Sequence, residues 1–235
     1  MRLTDIAGDP LAAEVAARLD ARLAGGDRPV ALALSGGGDS MALLHLADGW
    51  ARARGRRIAA FTVNHGLNSQ SGAWTAFAGE AASRLGLDWR ALEWREDKPR
   101  TGVAARARHA RHALLAGAAR EAGATVLMMA HTADDIAEAD WMRARGSTLG
   151  RLSEWSPSPV WPQGRDVMLL RPLLGVRREQ LRGWLRARRL RWIDDPANVD
   201  PGSARARARR DLAGSGEAEA APAPSGVQSL ASQAE

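Results

Sequence analysis

Six consecutive residues, Ser35 to Ser40, combine three glycines with two hydroxyls and one carboxylate. Glycine lets the backbone approach an anion closely and point several amide groups at it. The two serine hydroxyls add donors, whereas Asp39 would repel a bare phosphate but could ligate Mg²⁺ beside one. The segment therefore predicts a phosphate-binding loop with Asp39 as a magnesium ligand. The residues predicted to hold the phosphates are Ser35, Gly36, Gly37, Gly38, Asp39 and Ser40.

This loop differs from the two commonest glycine-rich nucleotide motifs. No Lys-Ser or Lys-Thr pair follows the glycines, and the G-x-G-x-x-G spacing is absent. A purely structural glycine turn is the alternative. However, the wholly apolar segment 30–34 precedes the loop and a helical pattern follows it. A buried strand that leads into a helix N-terminus favours anion binding, because the helix dipole places positive charge there.

An acidic cluster follows another apolar segment, 124–130. It consists of Asp134, Asp135 and Glu138, and His131 lies just before it. Acids at the start of a helix often only stabilise the helix dipole. Beside a phosphate site they could instead hold Mg²⁺ or a cationic substrate, with His131 in the same pocket.

Several basic side chains have spacings that suit a nucleotide or nucleic acid. Arg108 and Arg111 are three residues apart and share one helical face. There are two alternatives for this pair: it contacts phosphates or a base, or it forms a solvated surface. His65 follows the apolar segment 57–64, and a neutral imidazole there could contact a nucleotide or remain solvated. The basic segment 177–191 and three further arginines are candidate contacts for nucleic-acid phosphates, with a solvated surface as the alternative. Those three are Arg205, Arg207 and Arg209.

Composition excludes several kinds of site. The chain has 235 residues and no cysteine, which excludes disulfides, thiolate zinc sites, iron–sulfur clusters and cysteine-borne sulfur transfer. The net charge is +6 and Lys98 is the only lysine. Such arginine enrichment suits a nucleic-acid partner, but a GC-rich genome explains it equally well. No apolar run is long enough to span a membrane and the N-terminus has no signal core, so we expect a cytoplasmic protein.

Apolar strand-like segments alternate with helical ones along most of the chain. Strands are predicted at 30–34, 57–64, 88–94, 124–130 and 167–174, and helices at 10–24, 40–54, 72–86, 102–122, 134–144 and 178–190. This alternation predicts an α/β fold with a doubly wound, mostly parallel sheet. Residues 146–166 are predicted to form an irregular loop. We expect one catalytic domain over 1–212, with its motifs in 28–210, and a disordered tail over 213–235.

The hexapeptide Ser35–Ser40 resembles the SGGxDS signature of the N-type ATP pyrophosphatases, the PP-loop enzymes. Four further segments occur in the same order as in the tRNA(Ile)-lysidine synthases of that group. They are Val63-Asn64-His65-Gly66-Leu67; the helix Gly102–Arg111; Ala130-His131-Thr132-Ala133-Asp134-Asp135 with Glu138 and Arg145-Gly146-Ser147; and Leu170–Leu174 with Arg177, Leu181 and Trp192–Asn198. The resemblance covers about residues 28–210 and implies an adenine nucleotide alpha hydrolase-like fold.

The resemblance also implies an activity. That family joins the amino group of free L-lysine to C2 of the wobble cytidine in tRNA(Ile) with a CAU anticodon, through an adenylated intermediate. ATP is cleaved to AMP and pyrophosphate, with Mg²⁺ present. By resemblance, Asp39, Asp135, Glu138 and Arg108 are catalytic, and His65 lies at the ATP. Lysine and tRNA would contact His131, Asp134, Asp135, Glu138, Arg111 and Arg205.

Six positions depart from the family pattern, namely Asn64, Asn68, Ala104, His112, Ala139 and Ala206. These departures leave two alternatives open: a PP-loop ligase with another acceptor, or a diverged protein that binds ATP and tRNA with weak or other adenylating activity. The absence of a fused glutaminase argues against asparagine and GMP synthetases, and the absence of cysteine argues against thiolases. The sequence does not fix the oligomeric state and leaves a homodimer open.

Overall fold

The computed structural model describes residues 8–23, 25–148, 150–195 and 203–214. The helices are α1 (Pro10–Leu23), α2 (Gly38–Ala53), α3 (Ser71–Arg84), α4 (Val103–Glu121), α5 (Ala133–Arg143), α6 (Arg178–Ala187) and α7 (Ala204–Gly214). The strands are β1 (Val30–Ala33), β2 (Ile58–Asn64), β3 (Asp88–Glu93), β4 (Val126–Met128), β5 (Trp155–Pro157) and β6 (Met168–Leu170).

The six strands form one sheet in the order β3-β2-β1-β4-β6-β5. Every neighbouring pair is parallel except β5 with β6. Side chains alternate between two cores, because successive residues of a strand point to opposite faces. Val30 and Leu32 join the core with α1, α2, α3 and α6, whereas Ala31 joins the core with α4. The predicted doubly wound, mostly parallel fold is confirmed.

The chain reverses its direction of winding at β1. It runs outwards from β1 through β2 to β3, and then returns to place β4 on the other side of β1. In sheets of this kind ligands bind beyond the carboxyl ends of the strands at such a reversal. Ser35 follows β1, His65 follows β2 and His131 follows β4, so the topology brings these three segments to one edge.

Some predicted bounds and segments are wrong. The strands predicted at 124–130 and 167–174 contain only three residues each in the structure. The predicted loop 146–166 contains the short strand β5, which pairs antiparallel with β6. No helix was predicted for 204–214, where α7 lies, and α7 includes residues 213 and 214 of the predicted disordered tail. Residues 215–235 of that tail lie outside the described residues.

No helix within the described ranges is both long and apolar enough to cross a membrane. The predicted domain limits at 1–212 remain a prediction.

Candidate active site

The glycine-rich loop closes on itself through its two serines. Ser40 Oγ donates to the Gly37 carbonyl at 2.9 Å and accepts from the Ser35 amide at 3.2 Å. The two serine Oγ atoms lie 3.0 Å apart. Gly36 adopts a φ of +84°, a backbone conformation that residues other than glycine rarely adopt. Helix α2 begins immediately afterwards at Gly38, so its amide groups point to the same side as the loop.

A distant segment, Trp192 to Asp195, lies directly against this loop. The Ile193 amide donates to the Gly36 carbonyl at 2.9 Å, and Ile193 forms an isolated parallel bridge with Gly37. A Cβ atom on Gly36 would lie only 2.7 Å from Ile193 Cδ1, and one on Gly38 would lie 3.4 Å from the Trp192 ring. The contact with Ile193 therefore favours glycine at position 36, whereas a Cβ atom on residue 38 would make only ordinary van der Waals contact with Trp192.

A cavity of about 660 Å³ opens at the carboxyl ends of β1, β2 and β4. Its walls come from the loop, from the segment after β2, from α4 and α5, and from the C-terminal part of the described chain. Among the predicted site residues the lining includes Ser35, Gly37, Gly38, Asp39, Ser40, His65, Arg111, His131, Asp135 and Arg205. Gly36, Arg108, Asp134 and Glu138 lie outside that lining.

His65 enters the cavity on a turn that Asn64 stabilises. Asn64 Oδ1 accepts from the Gly66 amide at 3.0 Å, and Asn64 Nδ2 donates to Glu93 Oε1 at 3.3 Å. Burial, together with the charges of Arg111 and Lys98, lowers the pKa of His65 to about 4. The imidazole is therefore neutral at physiological pH. It packs edge-on against Trp94 at 5.8 Å between ring centroids.

Asp135 has two roles at the start of α5. Its Oδ2 accepts from both the amide and the hydroxyl of Thr132 at 2.9 Å, which caps the helix. Its Oδ1 faces Arg178 at 3.6 Å and Arg205 at 4.0 Å. Burial opposes ionisation, but the surrounding positive charge and the Thr132 amide outweigh burial and hold the Asp135 pKa below its usual value. The carboxylate is thus both a cap and a charged wall of the cavity.

Glu138 lies one turn further along α5 and is 1% exposed. Its Oε1 accepts from Arg178 Nη1 at 2.9 Å and from Arg209 Nε at 2.7 Å. Its Oε2 is buried and has no hydrogen-bond partner among the described residues. An unsatisfied buried carboxylate oxygen of this kind is uncommon in a folded protein.

Arg178, the first residue of α6, connects the loop to this acidic cluster. Its Nε donates to Asp39 Oδ2 at 3.2 Å, while its Nη atoms face Glu138 and Asp135. Its backbone amide donates to Asp134 Oδ2 at 2.7 Å, so Asp134 caps α6 and does not line the cavity. The three carboxylates outweigh the burial of Arg178 and raise its pKa.

A buried basic cluster lies beside the acids on the α4 side. Burial and the charges of Arg108 and Arg205 lower the pKa of Arg111 to about 10, so its guanidinium stays charged at neutral pH. Burial lowers the pKa of His131 to about 3. His131 Nδ1 accepts from Arg171 Nε at 3.2 Å, which leaves His131 Nε2 as the donor of a neutral ring.

Asp39 fits the predicted role of a magnesium ligand. Mg²⁺ commonly takes only one or two protein carboxylates together with substrate phosphates and waters. Within the described part of the chain, no group of three or more His, Asp or Glu side chains is arranged to hold a metal ion by itself. Burial raises the Asp39 pKa, although Arg178 opposes this. One carboxylate beside a phosphate loop matches the donor set that an ATP-bound magnesium needs.

A comparison with known protein families identifies the family to which this chain belongs. A family model described as a PP-loop domain matches residues 11–215. The chain belongs to the PP-loop domain family.

The relatives of this PP-loop domain also support the resemblance stated above. It is 52% identical over 197 residues to the tRNA(Ile)-lysidine synthase of Caulobacter vibrioides, covering 83% of this chain and 48% of the relative. It is 44% identical to the enzyme of the same name from Hyphomonas neptunium, covering 79% of this chain and 51% of the relative. The resemblance is confirmed, and the chain spans about half the length of these curated relatives.

Solved structures support the fold of the PP-loop domain. The U34-tRNA thiolase NcsA from Methanococcus maripaludis superposes with a TM-score of 0.74 at 18% identity, covering 88% of this chain and 72% of that one. NMN synthetase from Francisella tularensis gives a TM-score of 0.57 at 11% identity, covering 91% and 87%. At these identities the likeness concerns the fold alone.

Sequence reasoning missed two residues of the PP-loop domain that hold its site together. Arg178 was grouped with a basic helix, although it faces the carboxylates and not solvent. Ile193 was included only as part of a motif, although it contacts the loop directly. Arg209 was predicted as a tRNA phosphate contact but pairs with Glu138. In a chain with so many arginines, the sequence offers no signal that selects the inward-facing ones.

Proposed function

We propose that this PP-loop domain provides the catalytic site for ATP-dependent ligation of L-lysine to the wobble cytidine of tRNA(Ile) with a CAU anticodon. The products would be a lysidine-containing tRNA, AMP and pyrophosphate. The tRNA would then change its specificity from methionine to isoleucine. The reaction requires free lysine, ATP and Mg²⁺, and we expect it to occur in the cytoplasm; a homodimer remains a prediction.

One observation supports this proposal above the others. The phosphate loop, Asp135 and Arg178 line one cavity, and Arg178 connects the loop to Glu138 behind the cavity wall. An adenylating ligase needs its nucleotide phosphates and its amine nucleophile within reach of the same acceptor atom. A cavity of about 660 Å³ is large enough for a nucleotide and a further ligand. The names of the relatives then favour lysine as the amine and tRNA as the acceptor.

The first half of the reaction would take place at the loop. The amides of Gly37 and Gly38, with the two serine hydroxyls, bind and orient the phosphates of ATP. The C2 oxygen of cytidine attacks the α-phosphorus, and pyrophosphate leaves. When bound by Asp39, Mg²⁺ would neutralise charge on the phosphates. Arg111 would stabilise negative charge on the phosphate or position the nucleotide, and Arg108 would act beside it.

The second half would take place at the carboxylates. Asp135 and Glu138 hold the ammonium group of lysine and take up the proton that it loses. The free amine then attacks C2 of the adenylated cytidine, the C2–O bond breaks and AMP leaves. Adenylation is required because the unmodified oxygen is a poor leaving group. The neutral His131, with Nε2–H available, would donate a hydrogen bond to the acceptor base, and His65 would contact the nucleotide.

The test is lysine incorporation into a defined tRNA. The chain is incubated with ATP, Mg²⁺ and labelled L-lysine, and label in tRNA(Ile) with a CAU anticodon is measured. The matched control is the same tRNA with uridine at the wobble position. Label in the first tRNA and not in the second is expected. Asp39→Ala is expected to abolish the label.

Two other outcomes would select the alternatives. Pyrophosphate release that requires a small-molecule acceptor and does not require this tRNA would indicate a PP-loop ligase with another acceptor. Binding of ATP and tRNA without pyrophosphate release would indicate a protein that only binds them. The same assay distinguishes these results, because pyrophosphate and labelled tRNA are quantified in one reaction.

A further inference from the structure

Arg178 is shared between two parts of the cavity that would bind different ligands. Its Nε contacts Asp39 in the phosphate loop at 3.2 Å, and its Nη1 contacts Glu138 in the acidic cluster at 2.9 Å. Its Nη2 faces Asp135 at 3.6 Å. The side chain is 16% exposed, so most of its charge is balanced by these carboxylates and not by water.

The acidic cluster is fully paired with arginines in this arrangement. Asp39, Asp134, Asp135 and Glu138 each form an ion pair, and the partners are Arg177, Arg178, Arg205 and Arg209. In this arrangement the carboxylates predicted to bind an amine therefore have little negative charge to spare. A second cation would have to displace an arginine or follow the arrival of additional negative charge.

One carboxylate oxygen of this cluster nevertheless has no hydrogen-bond partner among the described residues. Glu138 Oε1 receives both Arg178 and Arg209, whereas Glu138 Oε2 is buried and without a hydrogen-bond partner in the described residues. An unsatisfied buried carboxylate oxygen is costly. Arg178 contacts both Glu138 and Asp39 of the phosphate loop. Any movement of Arg178 therefore changes the charge around Glu138 Oε2.

We propose that Arg178 couples the two subsites: nucleotide phosphates at the loop draw its guanidinium from Asp135 and Glu138, and those carboxylates then bind the amine substrate. This inference rests on the proposed function and adds an order of binding to it. Arg178 is a positioning residue here, because it acts on the amine through the two carboxylates.

The direction of the coupling follows from charge. ATP brings net negative charge to the loop even when one Mg²⁺ accompanies it, and guanidinium groups bind phosphate oxygens with paired hydrogen bonds. Arg178 already contacts Asp39 at the loop, so its guanidinium lies beside the place proposed for the phosphates. Each carboxylate it leaves then has one cation fewer beside it, because among the described residues Glu138 keeps only Arg209 and Asp135 keeps only Arg205 at 4.0 Å, so an ammonium group can take the place of Arg178. By linkage, lysine must then strengthen nucleotide binding by the same factor.

The test measures lysine binding without catalysis and without tRNA. Titration calorimetry gives the affinity of the full chain for L-lysine, with and without α,β-methylene-ATP and Mg²⁺. In the wild type we expect at least about a tenfold gain in lysine affinity when the analogue is bound. In Arg178→Gln we expect tighter lysine binding without nucleotide than in the wild type, and a gain of no more than about threefold on adding the analogue.

Two further variants make the result specific. Arg178→Lys keeps the charge but reaches fewer carboxylates, so it should fold and show an intermediate coupling even if Arg178→Gln does not fold. Arg84→Gln removes an exposed arginine that pairs with Glu80 on α3, and it should retain the wild-type coupling.

The outcomes separate this inference from the proposed function. If the wild type binds lysine equally with and without the analogue, or if Arg178→Gln and Arg178→Lys retain full coupling, the role of Arg178 is overturned. If the wild type binds no lysine in either state, the lysine site of the proposed function is overturned, and the coupling with it.

Discussion

Ile193 and Gly36 are 157 positions apart in the sequence, yet the Ile193 amide donates a 2.9 Å hydrogen bond to the Gly36 carbonyl. The Ile193 side chain fills the space where a Cβ atom of residue 36 would lie. The conformation of the phosphate loop therefore depends on a segment from the far end of the described chain. This dependence gives a direct test of the loop.

Gly36→Ala should destabilise the protein and weaken nucleotide binding. The new Cβ would lie 2.7 Å from Ile193 Cδ1, and a φ of +84° is unfavourable for alanine. The conformational cost alone is about 1–3 kcal/mol. Urea unfolding measures the stability, and titration with the ATP analogue measures affinity. Gly37→Ala is the matched control for stability, because Gly37 has an ordinary φ of −71° and more space around it. Equal losses in both variants would contradict this prediction.

Asn64→Asp, which introduces the residue typical of the family, should cost stability in this chain. Asn64 and Glu93 are directly opposite each other on β2 and β3, and Asn64 Nδ2 donates to Glu93 Oε1 at 3.3 Å. An aspartate would keep the turn at Gly66 but place two carboxylates together. Like charges in such a pair cost about 0.2–1 kcal/mol. The double variant with Glu93→Gln should recover the loss in a double-mutant cycle, and additive effects would argue against this pairing.

Glu138→Gln should weaken lysine binding much more than nucleotide binding. The amide keeps the shape of the side chain but removes the negative charge for an ammonium group. Loss of one charge-assisted hydrogen bond corresponds to about 1.5–3 kcal/mol, or roughly a 10- to 150-fold loss of lysine affinity. Asp140→Asn is the control, since Asp140 is an exposed acid on the same helix that pairs with Arg143. Similar losses for lysine and for the ATP analogue would show that Glu138 does not act on the amine.

His112→Phe should make the protein more resistant to mild acid. Burial and the charges of Arg111, Arg108, His131 and Arg171 lower the pKa of His112 to about 3 in the folded state, from 6.5. Below pH 6.5 the unfolded chain takes up a proton that the folded chain does not, so stability falls until the pH reaches about 3. Each such histidine adds up to about 1.4 kcal/mol per pH unit to the slope.

Urea unfolding at pH 7.5 and at pH 5 measures this effect. The free energy of unfolding of the variant minus that of the wild type should be larger at pH 5 than at pH 7.5. His112 Nδ1 and Nε2 are both buried without partners among the described residues, so phenylalanine removes two unsatisfied atoms as well. The wild-type comparison at each pH is the control. If this difference is the same at both pH values, protonation of His112 does not contribute to the loss of stability in acid.

The features that the sequence predicts are local ones. The phosphate loop follows a wholly apolar strand and precedes a helix, and each of those patterns spans only a few residues. The alternation of segments then sets the parallel sheet, which places the ends of β1, β2 and β4 together. Asp135 lies in the first turn of α5 and Arg111 lies along α4. Both helices border that edge of the sheet, so both side chains line the cavity.

The missed features depend on long-range pairing. Arg178 is 139 positions from Asp39, and nothing in a uniformly basic segment marks it as the residue that turns inwards. Strand β5 exists because Trp155–Pro157 pairs with β6, whereas its proline is a residue typical of a loop. Helix α7 was missed because alternating Ala and Arg has a period of two, not 3.6. Its buried face consists of the small residues Ala206 and Ala208.

The 71 positions between Glu138 and Arg209 also matter while the protein is being made. At roughly 5–20 residues per second, a ribosome that has just added Glu138 needs about 4 to 14 seconds to reach Arg209. At the start of that interval Glu138 lacks both of the arginines that neutralise it, and after Arg178 has been added it still lacks Arg209. The cavity is therefore expected to be among the last parts of the nascent chain to acquire native order, after the sheet on which it rests.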